Sequence, residues 1–180
     1  MITLTKDQLK AAKAKNGISS IVACPGSGKT AVLTHRIFLL VSEHGISPEN
    51  ILGLTFTKNA AEEMRSRLND ILGDKSDRVH LSTIHSFCFY LLKREGVVFD
   101  ILAGKKQLIF IKDILKSLKV KNLTVGTILR EISLAKNNMI SVEEFRQLFS
   151  VDKTMLKVAD IYQEYDDLKN KKLRLDFDDL

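Results

Sequence analysis

The chain has no tryptophan, two prolines and two cysteines. Cys24 and Cys88 lie far apart with no histidine at ligand spacing beside either, which argues against a disulfide framework and a zinc site and fits a reducing, cytoplasmic setting. Long apolar runs are missing too. Val32 to Val41 is interrupted by His35 and Arg36, well short of the roughly 20 apolar residues that cross a bilayer. The opening ITLTKDQLKAA lacks a basic-then-apolar layout, so no secretory leader is read there and no membrane partner is expected. Acidic residues are scarce over most of the length. Net charge is +6, but Asp160 to Leu180 carries seven acidic against four basic residues, leaving +9 on what precedes it. A basic body points to a polyanion larger than a nucleotide; the plainer reading is that lysine keeps the surface soluble. With 44% hydrophobic residues, nine of them phenylalanine, the chain can bury one core, or one core with a satellite helical lobe.

What is present is dominated by Ala23 to Thr30, ACPGSGKT, set between the apolar run Ile18 to Val22 and the helix-patterned stretch Ala31 to Val41. Strand, glycines, Lys-Thr and helix in that order spell a phosphate-binding loop. Gly26 and Gly28 let the backbone fold around a polyphosphate, so that a binding loop runs from Pro25 through Gly26, Ser27 and Gly28 to Ala31, its amide N–H groups after the proline and a helix N-terminus facing the negative charge. Lys29 then reaches the β- and γ-phosphates, and the Thr30 hydroxyl is placed to ligand Mg²⁺, so the expected cofactors are ATP and Mg²⁺, with Lys29 and Thr30 the candidate catalytic residues. One departure stands out: Ala23 occupies the place of the usual first glycine. The plainer alternative is a glycine-bearing turn with a chance lysine.

In the first half, Ile18 to Cys24, Ile51 to Phe56 and Val79 to Thr83 read as strands, followed by helices starting near Gly28, Lys58 and Ile84. That alternation implies a parallel α/β sheet. Thr5-Lys6-Asp7-Gln8 spells a capping box opening a helix over Lys6 to Lys15, and Ser47-Pro48 a proline-led helical turn. After Gly96 the strands stop. Leu108 to Leu118 and Ile128 to Ala135 read as amphipathic helices, Ser141 to Glu144 as a second capping box opening a helix through Leu148, and Met155 to Tyr165 as a longer helix.

Two further segments sit at strand-to-helix junctions, where α/β sheets bind ligands. Thr55-Phe56-Thr57-Lys58-Asn59 mixes hydroxyls, a cation, an amide and an aromatic ring, a combination suited to single-stranded nucleic acid. Ser82-Thr83-Ile84-His85-Ser86-Phe87 repeats the polar-aromatic mixture. Taken singly, each also reads as an N-cap cluster beside a core phenylalanine.

ACPGSGKT, LGLTFTKNAAEEMRSRL and HLSTIHSFCFYLLKRE, in that order and spacing, resemble consecutive motifs of UvrD/PcrA/Rep-type superfamily 1 DNA helicases. The helical half extends the likeness through ISLAKN, VADIY and LDFDDL. The resemblance implies a P-loop NTPase of RecA-like α/β fold with an inserted all-helical subdomain: residues 1–98 as part of the RecA-like domain, 99–175 as the insertion and 176–180 as the return segment. By the same likeness Gln8 contacts adenine, with the helix cap as its plainer role. Arg36 lies by the nucleotide, with a solvated helix arginine as the alternative. Phe56, Thr57, Thr83, His85 and Ser86 border a single-stranded DNA path. Lys58-Asn59 inverts the family's usual Asn-Lys order, which leaves those two contacts open. Implied partners are single-stranded and forked DNA and the remaining helicase domains, with 3′-to-5′ movement and repair or replication restart as the favoured setting.

Hydrolysis also needs an acidic pair at a strand end, and none is found. Asp100 is followed by Ile101 where a glutamate is wanted, and Asp176, Asp178 and Asp179 read as a solvated acidic turn or as a family signature lying upstream of the missing pair. The expectation is therefore a helicase portion ending before its catalytic carboxylates, with ATP binding but no turnover of its own. A phosphate-loop kinase and a non-catalytic nucleotide- or DNA-binding module are the alternatives.

Overall fold

The computed structural model describes residues 4–14 and 17–180, and divides between Phe87 and Cys88 into two compact units. In the first, helix α1 (Lys6–Ala12) opens with the complete capping box expected from Thr5 and Gln8. Lys15, the expected end of this helix, lies outside the described residues. Helix α2 (Lys29–Ser42) follows the glycine loop. A 3-10 turn (Pro48–Asn50) leads into strand β1 (Leu52–Thr55), helix α3 (Lys58–Leu72), strand β2 (His80–Thr83) and helix α4 (Ile84–Arg94), which runs past the division. The strands pair in parallel, with Leu52 opposite His80 and Thr55 opposite Thr83.

Alternation along β1 decides what packs where. Gly53 turns toward α3, and a Cβ there would stand 2.4 Å from Cδ2 of Leu81, its partner on β2, so glycine leaves that side chain room to fill the core. Ile37, Ile51, Met64, Leu68, Val79 and Leu81 close the core on that side. Leu52 and Leu54 face the other way and stay about half exposed.

Ile18 to Cys24 is not a strand; it forms irregular backbone. Ile18 and Val22 are fully exposed, and Ile21 alone packs, against the cluster of Ala12, Val32 and Leu39. Hydrophobicity makes a segment strand-like, but a strand exists through its ladder, and the sheet of β1 and β2 is two-stranded among the described residues.

In the second unit, strand β3 (Asp100–Ile101) is followed by helices α5 (Lys105–Ser117), α6 (Val125–Asn137), α7 (Val142–Leu148) and α8 (Lys153–Lys171), then strand β4 (Arg174–Leu175) and a 3-10 turn (Phe177–Asp179). Ser141 caps α7 with the expected box. β3 and β4 pair in parallel, a correction to the reading that no strands occur here; two-residue strands are too short to carry a periodic signal. Ile111, Ile114, Ile128, Ile132, Val158 and Tyr165 are central to the four-helix core.

The acidic turn is only partly solvated: Asp179 is exposed and Asp178 half-buried, but Asp176 is 1% exposed. Its Oδ2 accepts from Tyr165 Oη at 2.8 Å, Lys169 Nζ at 2.9 Å and Lys136 Nζ at 3.1 Å. Its Oδ1 accepts the backbone N–H of Asp178 and Asp179, capping the turn. Asp179 pairs with both lysines, and Asp166 Oδ1 lies 3.1 and 3.3 Å from the two ammoniums as an ion-pair partner. Asp178 takes hydrogen bonds from Ser133 and Asn137. Burial by itself would raise the Asp176 carboxyl, but the Lys136 charge and the bonds from Lys169 and Tyr165 outweigh it and hold it down at about 2. A group depressed on folding contributes stability above its unfolded pKa and loses it as pH falls through the folded value. Roughly 2 kcal/mol of stability from Asp176 should therefore be in place above about pH 4 and disappear toward pH 2, read as a falling urea midpoint. Lys169→Met, which leaves buried carboxylates under-compensated, is expected to cost about 3–5 kcal/mol in the same measurement.

Candidate functional site

Helix α2 begins without a side-chain cap. Gly28 is its N-cap residue at φ +80°, and among the described residues no side-chain cap bonds the first-turn amides. The left-handed conformation is open to glycine at little cost, and Gly26 repeats it at φ +78°. Between them the Ser27 N–H closes a turn on Cys24 O at 3.2 Å. The result is a loop whose helix presents bare N–H groups and the positive end of its dipole.

Lys29 folds back into that loop and donates to Ala23 O at 2.9 Å and Cys24 O at 2.8 Å. Two neutral carbonyls hold the ammonium beside the helix start, and anionic phosphate oxygens are stronger partners for it. Thr30 and Ala31 follow in the first turn of α2, half-buried and buried respectively. Pro25 and Ser27 lie exposed in the loop.

Gln8 reaches this loop from α1. Its Nε2 donates to Ser27 O at 2.9 Å while its Oε1 accepts the Thr5 N–H of the capping box at 2.8 Å. A cleft of about 420 Å³ lies between α1 and the loop, with Gln8, Ala11, Ile21, Ser27, Lys29 and Val32 in its wall, within the usual size range for small-molecule sites. Arg36 does not face this cleft wall; its guanidinium donates to Ala12 O at 3.5 Å and to Ala14 O.

The two polar-aromatic segments are brought together by the β1–β2 register. Thr55 and Thr83 are paired residues, so Phe56 to Asn59 and Ile84 to Ser86 leave the same end of the sheet on adjacent strands. Phe56 is 85% exposed. Thr57 caps α3 by accepting from Ala60 N at 3.2 Å, with Lys58 and Asn59 exposed in the first helical turn. Thr83 is buried, and its hydroxyl bonds Ser86 Oγ at 2.8 Å and accepts the Ser86 N–H. His85 and Ser86 are exposed at the start of α4. Two features had no local signal in the sequence: the Gln8–Ser27 bond and the attachment of Arg36 to α1. Both join residues that only the fold brings close.

Parallel strands with helices, a left-handed glycine turn and an uncapped helix start carrying Lys-Thr define an α/β protein. Residues 4–180 match the UvrD/REP helicase N-terminal domain, and the chain belongs to that family. It is 41% identical over 181 residues to the ATP-dependent DNA helicase PcrA of Bacillus subtilis (strain 168), covering 96% of this chain and 24% of that protein. PcrA of Staphylococcus aureus (strain NCTC 8325 / PS 47) is 36% identical over 185 residues, covering 98% of this chain and 25% of that protein. The chain thus spans about a quarter of the length of the curated relatives it matches.

The loop geometry gives a direct test. Gly26→Ala and Gly28→Ala both force a side chain into positive φ, at about 1–2 kcal/mol each. At Gly28 the new Cβ would also stand 2.9 Å from Gln8 Nε2, whereas nothing lies near Gly26. Gly28→Ala is expected to be the more destabilising by about 1 kcal/mol in urea unfolding, and to shift the Gln8 side-chain amide resonances. Gly26→Ala should leave those resonances in place.

Proposed function

We propose that the chain forms the nucleotide- and DNA-binding N-terminal part of an ATP-dependent DNA helicase, in which a RecA-like P-loop domain carries an inserted helical subdomain. The observation that carries this reading is the uncapped start of α2, with Gly28 left-handed and Lys29 held beside it, inside a chain of the UvrD/REP family. The amides from Gly26 to Ala31 would receive the triphosphate, Lys29 would exchange its two loop carbonyls for β- and γ-oxygens, and Gln8 would meet adenine at the cleft. Thr30 suits Mg²⁺ because it supplies a hard oxygen in the first turn of α2, directly after Lys29. The metal, when bound, neutralises phosphate charge. Turnover, translocation and unwinding belong to the whole protein and need its further domains.

For DNA, we assign Phe56 as a stacking platform and Thr57, Lys58, Asn59, His85 and Ser86 as backbone contacts, with Thr83 holding Ser86 in place. In the helical unit a groove of about 540 Å³ between the α5–α6 connection and α8 has Lys119, Lys121 and Lys157 in its wall, which supports contact with a phosphate backbone of forked DNA. Family membership gives the kinase reading no support.

Lys29→Ala is expected to weaken ATP binding at least tenfold, ~1.4 kcal/mol, in calorimetric titration; unchanged affinity would remove the phosphate-loop assignment. Phe56→Ala should weaken binding of a single-stranded oligonucleotide by about 1–3 kcal/mol while leaving the ATP titration as in the parent chain. Oligonucleotide affinity should also fall steeply with salt, because binding releases counterions; a flat dependence would exclude a phosphate-tracking site.

A further inference from the structure

Arg36 lies about two turns into α2, and its family likeness places an arginine here beside the nucleotide. In this structure its guanidinium is engaged elsewhere, on Ala12 O and Ala14 O. These carbonyls lie at the C-terminal end of α1, where a helix runs out of its own donors and its dipole is negative. A cation there is well placed on both counts.

At the other end of α1, Gln8 Nε2 bonds Ser27 O. Between the two, Ala12 is 2% exposed and packs with Val32 and Leu39 of α2. Helix α1 has seven residues, far too few to hold a position through its own hydrogen bonds. Its place is set by an amide at the front, an apolar contact in the middle and a guanidinium at the rear.

We propose that Arg36 is a positioning residue: by gripping the C-terminal carbonyls of α1 it sets where Gln8 stands at the phosphate loop, and so governs discrimination for the adenine base without touching the nucleotide. This rests on the nucleotide-binding reading above. A side-chain amide offers one donor and one acceptor, the complement of adenine's N7 and N6–H, and a displacement of about 1 Å is enough to spoil such a match. The loop amides are backbone groups and Lys29 belongs to α2, so the groups that would meet phosphate lie outside α1.

The test is calorimetric titration of the 180-residue chain with ATP and with inorganic tripolyphosphate, in the parent, Arg36→Met, Gln8→Ala and the double variant. Arg36→Met is expected to weaken ATP roughly tenfold and to change tripolyphosphate by less than about twofold. In the Gln8→Ala background it should add less than about twofold for ATP, because a residue acting through Gln8 has nothing left to position. Arg36→Lys keeps the charge but reaches one carbonyl at a time, and should fall between; it carries the test if Arg36→Met does not fold. Equal losses for ATP and tripolyphosphate, or losses that multiply in the double variant, overturn the proposal, the second by showing direct contact with the nucleotide. A parent chain that binds neither ligand overturns the phosphate-loop reading and this inference together, which separates the two failures.

Discussion

An α-helix that starts on a left-handed glycine cannot be capped by the residue it starts on, and the first unit is organised around that omission at Gly28. Most of the other helices here close their starts with a hydroxyl or a carboxylate: Thr5, Thr57, Thr124, Ser141 and Asp152 all accept a first-turn N–H. The contrast is chemical. Helix α5 also starts without a cap, on Gly104, so what sets α2 apart is the pairing of bare amides with Lys29 and Thr30 in its first turn. The positive φ of Gly26 and Gly28 shapes the turn, the lysine folds onto the Ala23 and Cys24 carbonyls, and the glutamine rests on Ser27 O.

The second unit depends on a different economy of charge. Lys136 and Lys169 meet Asp166, Asp176 and Asp179 in a nearly closed volume, with Lys136 5.4 Å from the centre of the Tyr165 ring. Burial pushes the Tyr165 phenol up, further raised by the Asp176 charge, so it remains a hydrogen-bond donor to the carboxylate. Gln107 donates to the same phenol from α5. Three helices and the terminal turn are thereby fixed on one carboxyl group. Such a cluster is weak as a source of net stability but strong as a specifier of arrangement, because every wrong packing leaves a charge unpaired.

The parts legible in the sequence are those with local causes. The boxes at Thr5 and Ser141, the starts of α3 and α4, and the apolar stripe of α8 all follow from spacing within a few residues. The loop's positive φ angles follow from the glycines themselves. What escaped has remote causes. Ile18 to Cys24 has strand composition, yet pairing depends on neighbours that periodicity does not report. Asp176 reads as solvated because its partner Lys136 lies far back along the chain. Arg36 reads as a nucleotide contact or a solvated side chain, and its carbonyl partners Ala12 and Ala14, at the end of α1 and just past it, are visible in neither.

The pairing of β3 with β4 has a consequence for how this architecture tolerates change. Asp100–Ile101 and Arg174–Leu175 run side by side in the same direction, so the polypeptide enters and leaves the four-helix excursion at points about 4.8 Å apart. A segment whose two ends meet can be lengthened, exchanged or shortened with little effect on the path of the backbone outside it. Geometrically the helices from α5 to α8 form a closed excursion, tied at its base by the small ladder and by the pairs of Lys136 and Lys169 with Asp176 and Asp179.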